Sequence, residues 1–251
     1  MNQVAILIDF DNIFPLPMNS YTCMDLHRTI SLAISIARAA VFDVDKVVVR
    51  LYGGWYEGNR LTARASTLSS MLPMLNTIFP IIEPPRVIIQ GRVELATQLN
   101  GHSYVWYNSY REHFGLPKLR VNTSAIGDIC EANKNTCPVK ILKKFTDKKR
   151  RVCENTGCNT IHGSVFFERT QKFVDTMIAC DIITLSSDPE VAAVYLMSDD
   201  EDHFPALATA HDLVSTRARL GLMMLNDLNV ANYAELLSPF EIEVSNIPLI
   251  A

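Results

Sequence analysis

No basic excess marks this chain: 23 lysines and arginines stand against 27 aspartates and glutamates, for a net charge of −4. That excludes a histone-like binder that coats nucleic acid by charge alone, and it confines any phosphate contact to a local patch. No apolar run reaches the roughly 20 residues of a membrane span, so no membrane partner is expected. The opening MNQVAILIDF lacks a basic leader and meets an acid after a short apolar run. This is the pattern of a strand and not of a secretory signal, and a cytoplasmic location is the expectation. Neither an internal repeat nor a heptad pattern is present, which leaves monomer and homodimer open. Cysteines number six, and without an export signal they are expected to stay reduced, so clustering among them points to metal before disulfides. At 251 residues and 48% hydrophobic content, the chain can bury one sizeable core, or a core and a small appendage that needs outside help to fold.

What is present is an alternation of strands and helices. Residues 4–9 (VAILID) are a continuously apolar, branched run ending in an acid, which predicts a central strand of a parallel sheet with Asp9 at its carboxyl edge. Residues 24–41 carry Leu26, Ile30, Ala33, Ile34, Ala37 and Val41 at helical spacing. KVVVRLYGG reads as a second strand closed by a glycine pair, and RLTARASTLSSML as a helix. Between about residues 83 and 168 the alternation gives way to prolines, aromatics, polar turns and four cysteines, which predicts an insertion. Order resumes with a helix over 170–185, a strand over 191–198, a helix near 204–215, the strand LGLMML, a short helix near 230–237 and a last strand near 240–244. The expected class is α/β, a central parallel sheet flanked by helices, formed by residues 1–82 and 169–251 with 83–168 inserted.

Acids that end separate parallel strands can meet at the carboxyl edge of the sheet. Asp9 and Asp200 satisfy that condition, and Asp175 near a helix start and Asp202 would extend the cluster. Each acid alone has a structural explanation as a helix cap or dipole partner. Together they are like charges that are costly to ionise without a cation, and oxygen donors favour Mg²⁺ or Mn²⁺. Such an ion polarises a phosphodiester and activates water, so hydrolysis of nucleic acid is the chemistry this pattern suits.

Four segments resemble the NYN branch of PIN-like (Rossmannoid) metal-dependent nucleases. ILIDFDN is similar to that family's opening strand, with Asp9 and Asn12, and LYGGW to its second strand. QKFVDTMIACD resembles its Lys-x-x-Asp helix, through Lys172, Asp175 and Asp181, and SDDEDHFPAL its Ser-Gly-Asp-x-Asp-Phe-x-Pro-Leu segment, through Ser198, Asp200, Asp202 and Pro205. The last segment departs from the pattern at Asp199, His203 and Ala206, with Asp for Gly and His for Phe at the first two. The resemblance spans roughly residues 4–80 and 170–245 and implies a nuclease that favours RNA over DNA. It also implies Asp9, Asp175, Asp200 and Asp202 as metal ligands or catalytic acids, with Asn12, Ser198 and Asp181 in support, Asp11 beside them and Lys172 toward a phosphate. Asp181 falls about 120° around the helix from Asp175 at 3.6 residues per turn, which suits an indirect role.

Within the insertion, six residues separate Cys130 from Cys137, four separate Cys153 from Cys158, and fifteen lie between the pairs. This is the arrangement of a small two-knuckle zinc ribbon, with structural Zn²⁺ on four thiolates and His162 in reserve. Cys23 and Cys180, in helical patterns, read as small buried hydrophobes. Between the cysteine pairs, Lys140, Lys143, Lys144, Lys148, Lys149, Arg150 and Arg151 concentrate positive charge. Such a run serves equally as solvated surface or as a phosphate-gripping arm. Tyr104, Trp106, Tyr107 and Tyr110 are candidates for stacking on unpaired bases, with core packing the commoner fate of such residues. Two other functions compete. One is a catalytically silent module that binds nucleic acid. The other is a haloacid-dehalogenase-like phosphohydrolase, because ILIDFDN and SDDED also resemble its acidic motifs and imply an aspartyl-phosphate at Asp9. Against the latter, KVVVRLY ends without a Ser or Thr, and Ile13 stands where that family has Thr or Val.

Overall fold

The computed structural model describes residues 2–83, 87–114, 136–138, 156–158, 160, 167–213, 218–225 and 227–248. In chain order the strands are β1 (Gln3–Asp9), β2 (Lys46–Tyr52), β3 (Tyr56–Glu57), β4 (Arg60–Leu61), β5 (Ile81–Glu83), β6 (Val87–Leu95), β7 (Tyr110–Phe114), β8 (Phe167–Gln171), β9 (Val191–Met197), β10 (Arg219–Met224) and β11 (Glu243–Asn246). The helices are α1 (Phe10–Ile13), α2 (Cys23–Ala39), α3 (Ala63–Leu75), α4 (Val174–Ser186), α5 (Phe204–Leu213) and α6 (Val230–Leu237). The chain divides into two compact units, Met1–Tyr110 with Gln171–Ala251, and Arg111–Thr170.

The larger unit is built on a seven-stranded sheet of order β11-β10-β9-β1-β2-β6-β5. All neighbours in it run parallel except the edge strand β5, which is antiparallel to β6. β1 lies at the centre because both of its faces are apolar: Val4, Ile6 and Ile8 enter one core, and Ala5 and Leu7 the other. The first core packs Leu26, Ile30, Ala33 and Ile34 of α2 and Ala65 and Leu68 of α3 against β1 and β2. The second packs Val174, Met177, Ile178, Ile182 and Leu185 of α4 and Leu207 of α5 against β9 and β10. Thr22 starts α2 with a reciprocal cap, its hydroxyl accepting from the Asp25 amide while the Asp25 carboxylate accepts from the Thr22 amide, worth about 1 kcal/mol. Gly221 of β10 has a packing reason, because a Cβ there would meet the Tyr195 ring at 2.2 Å.

Two boundaries differ from the sequence expectation. The insertion does not begin at residue 83: β6, inside the expected 83–168 segment, pairs in parallel with β2, and the second unit starts at Arg111. The turn-like Gly91 in β6 is what disguises the strand. Phe79 and the Val47 carbonyl press so close that a Cβ would lie 2.3 Å from the ring, so packing requires the glycine that sequence rules read as punctuation. The helix expected over 170–185 starts at Val174, because residues up to Gln171 belong to β8. In the second unit, β7 and β8 pair in a sheet of their own. Cys137 is buried and Cys158 is half-buried, its Sγ donating to the Thr160 hydroxyl at 3.3 Å. Cys130, Cys153, His162 and the basic run from Lys140 to Arg151 lie outside the described residues. Among the described residues no helix is long and apolar enough to cross a membrane.

Candidate metal centre

β1 is flanked by β2 on one side and β9 on the other, and the chain leaves β1 toward β2 and returns only later to β9. That reversal is the switch point at whose carboxyl edge, here the ends of β1 and β9, parallel α/β sheets bind ligands. Asp9, the last residue of β1, lies at that edge 4% exposed. It is also the N-cap residue of α1, but its side chain makes no capping bond, so the carboxylate is not used up in holding the helix. β9 ends at Met197 and the SDDED turn follows immediately.

This turn is held in three places. The Asn12 carboxamide oxygen accepts from the Asp199 amide at 2.8 Å, and the Asp199 carboxylate accepts from the Leu225 amide at 2.9 Å, tying the ends of β1, β9 and β10 together. The buried Ser198 hydroxyl donates to Asp9 Oδ2 at 3.1 Å and accepts from the Asp200 amide at 3.1 Å. Asp200 then caps a short 3-10 turn, Glu201–His203, its Oδ1 accepting from the Asp202 amide at 3.0 Å. In such a turn residues i and i+3 eclipse, so His203 falls on the same side as Asp200. Its ring is 1% exposed, with Nε2 3.4 Å from Asp9 Oδ2.

Asp9, Asp200 and His203 therefore each present a ligand atom, all within 4.8 Å of one another. Two donors about 2.1 Å from a shared cation stand at most about 4.2 Å apart, so this trio needs only a small contraction to hold an ion. Two carboxylates and an imidazole are a common donor set for a divalent metal. Asp175, in the first turn of α4, is exposed as a residue, yet its carboxyl is raised above the usual carboxylate range. Partial burial is the main cause; the charges of Asp9, Asp200 and Asp202 add to it, and His203 opposes. For His203, burial favours the neutral ring, but the bond to Asp9 and the charges of Asp9, Asp175 and Asp200 outweigh it and raise its pKa. The His203 shift reports accumulated negative charge, which a cation would neutralise.

Of the sequence candidates, Asp9 and Asp200 belong to the trio and Ser198 orients Asp9. Asp175 and the exposed Asp202 lie within electrostatic reach of it, outside the three whose ligand atoms converge. Asn12 serves the turn. Asp181 does not support this site. It points into the second core, where its carboxylate accepts from the Arg50 guanidinium, from the Tyr52 hydroxyl at 2.6 Å and from the Asn100 amide at 2.8 Å. Asp11 is likewise engaged, paired with Arg64 at 2.6 Å and accepting from the Gly54 amide at 3.0 Å and the Gln171 carboxamide. Lys172 is exposed, and Cys180, expected to be buried, is exposed too. His203 is the residue the sequence reading passed over; its signal was the Asp200-x-x-His203 spacing on a turn directly after a strand. A separate open cleft lined in part by Ala39, Arg219 and Glu243 lies at the opposite, amino edge of the sheet. Compared with protein-family models, curated proteins and solved structures, the chain matches none.

Proposed function

We propose that this chain is a metal-dependent nuclease of the PIN-like NYN kind, hydrolysing phosphodiester bonds with RNA favoured over DNA. The observation that carries the reading is the convergence of Asp9, Asp200 and His203 at the carboxyl ends of β1 and β9. The ILIDFDN and SDDEDHFPAL segments that resemble the family supply its two carboxylates. Asp9, Asp200 and His203 would hold the ion, with Asp175 and Asp202 beside it. Mg²⁺ and Mn²⁺ both suit the carboxylates, and of the two Mn²⁺ is the softer ion and takes an imidazole ligand more readily. When bound, such an ion lowers the pKa of water and polarises a phosphoryl oxygen.

The chain's own residues do the rest. Ser198 holds Asp9 Oδ2 in a fixed direction, and Asn12 and Asp199 keep the turn rigid so that Asp200 and His203 stay aligned. The exposed Asp175 carboxyl is available to orient water or to take up a proton. A structural Zn²⁺ on Cys130, Cys137, Cys153 and Cys158, and a phosphate-gripping role for Lys143, Lys144, Lys148, Lys149, Arg150, Arg151 and Lys172, belong to the same proposal.

Labelled single-stranded RNA, structured RNA and matching DNA, incubated with the protein in EDTA, Mg²⁺ or Mn²⁺, test it. Cleavage is expected with metal only, stronger in Mn²⁺, and lowered about a hundredfold or more in Asp200→Asn, in keeping with the several kcal/mol that a catalytic metal supplies. Elemental analysis of the same preparations should find zinc. Metal-independent cleavage, or full activity in the variant, would sink the nuclease, and a preparation without zinc would sink the four-thiolate site.

A further inference from the structure

Phe173 occupies a backbone conformation that large side chains avoid, with φ at 71°, in the left-handed region. Burial is not the reason, since Phe173 remains 40% exposed. The residue is fixed on both sides. The preceding Lys172 amide donates to the Ser109 carbonyl at 2.9 Å, and the Phe173 carbonyl accepts from the Met177 amide at 2.8 Å as α4 begins. Strain retained to present an exposed ring is a functional signal.

The ring does not stand alone. Trp106 lies against it with centroids 5.6 Å apart, and Tyr104 meets Trp106 edge-on at 5.3 Å. Trp106 is anchored in the second core, whereas Tyr104 is 65% exposed. A bridge between Gln98 and Val105 and a bond from the Trp106 amide to the Thr97 carbonyl at 2.9 Å hold the segment that carries them. Tyr104, Trp106 and Phe173 thus make a continuous aromatic ledge that ends two residues from Asp175, whose carboxyl feels Asp9, Asp200 and Asp202. Lys172, exposed, stands next to Phe173.

We infer that this ledge stacks the unpaired bases of a single-stranded nucleic acid, with Lys172 on an adjacent phosphate. Cleavage at the acid cluster rests on the nuclease reading; binding at the ledge does not. Aromatic faces accept any base, but only where the base is not already stacked in a duplex. The occupant is identified by the company the rings keep: a cation and a metal-binding carboxylate cluster within a few residues suit a polymer that carries both flat bases and phosphates. The net charge of −4 confines phosphate attraction to local basic residues, so the share of affinity that stacking supplies is the share that depends on the bases and not on salt.

Fluorescence anisotropy with the full chain in EDTA tests this, using a labelled RNA strand, the DNA strand of the same sequence, an abasic strand and the perfect duplex. The unpaired strands should bind, and the abasic strand and duplex about tenfold more weakly, the loss of roughly one stacked base. Comparing RNA with DNA reads whether the 2′-hydroxyl matters. Phe173→Gly should lose about tenfold in strand affinity while melting close to wild type, because glycine is at ease in the left-handed region. Tyr104→Ala, at an exposed position, should lose affinity similarly, and Phe173→Tyr should keep it. Failure of both the RNA and the DNA strand to bind, equal binding of abasic strand or duplex, or unchanged affinity in both Phe173→Gly and Tyr104→Ala would overturn the ledge. Base-dependent binding in a chain that never cleaves would keep the ledge and remove the nuclease, and cleavage with base-independent binding would do the reverse.

Discussion

Two buried aspartates, Asp9 at 4% exposure and Asp181 at 0%, sit in the same sheet-and-helix unit and have opposite surroundings. Asp181 finds three donors within the fold, the Arg50 guanidinium, the Tyr52 hydroxyl and the Asn100 amide, although burial still holds its carboxyl above the usual carboxylate range. The arrangement follows from strand geometry, because Arg50 and Tyr52 are two residues apart on β2 and share the face that α4 covers. Asp9 has a serine hydroxyl and an imidazole, and around it stand more carboxylates. Burying an acid is costly unless it is paired. One site is paired internally and the other gathers carboxylates that could hold a cation, so a buried acid becomes informative about function only once its partners are counted.

The sharpest way to break the comparison is to remove each carboxylate in turn. Asp181→Ala leaves the buried Arg50 with only Glu94, at 3.2 Å, as a carboxylate partner and strips the Tyr52 hydroxyl and Asn100 amide of their acceptor, and should cost about 3 kcal/mol of stability. Asp200→Asn removes a carboxylate from a crowd of like charges and retains a residue type that caps turns well, so stability should stay within about 1 kcal/mol of wild type. Urea unfolding of both variants reads the difference. Similar losses in the two would show that the carboxyl-edge cluster is as structural as the internal pair.

The sequence disclosed the cluster at the carboxyl edge of the sheet more readily than the pair inside the second core. Asp9 and Ser198 were legible because the one ends and the other directly follows an unbroken apolar strand, and strand ends in parallel sheets are local features. The pairing of Asp181 with Arg50, 131 residues apart in sequence, leaves no local pattern. Asp181 occupies the buried stripe of α4 beside Ile178 and Ile182, where periodicity expects an apolar residue and cannot say which cation meets it. β6 was lost to its glycine. His203 was noted as a departure from the resemblance and not as a ligand, although its three-residue spacing from Asp200 is itself a local signal. The Asp181 pair and β6 are errors of range: short-range rules recover strand ends, caps and helix stripes, and fail where the partner or the steric neighbour lies far along the chain.

A smaller effect is expected from the residue that aims Asp9. Ser198→Ala removes the only hydroxyl on Asp9 Oδ2 that the described residues provide and leaves the ligand set intact. Loss of such an orienting partner typically weakens metal binding by 10–100-fold, about 1.4–2.8 kcal/mol, and calorimetric titration with Mn²⁺ measures it. Binding unchanged by the substitution would mean that His203 and the strand geometry suffice to aim the carboxylate.

The subtlest difference between the two aspartates is in proton linkage at neutral pH, where the charge cluster should respond and the internal ion pair should not. His203 has a folded-state pKa above its ordinary value, because the bond to Asp9 and the charges of Asp9, Asp175 and Asp200 overcome burial. A raised folded pKa means that the proton stabilises the fold fully below the unfolded value of about 6.5 and that this contribution is lost as pH climbs through the folded value. The metal-free protein should accordingly melt at progressively lower temperature from about pH 6 upward. A cation competes with that proton for Nε2 and relieves the same repulsion, so the rise in melting temperature given by Mn²⁺ should grow over the same range. His203→Phe, which installs the residue the NYN pattern carries here, should flatten the metal-free profile and weaken Mn²⁺ stabilisation, while the Arg50 and Asp181 pair stays untouched. Thermal melts of both proteins, with and without Mn²⁺, decide it: an equal pH slope in wild type and His203→Phe would assign the dependence elsewhere and leave the imidazole a packed core residue.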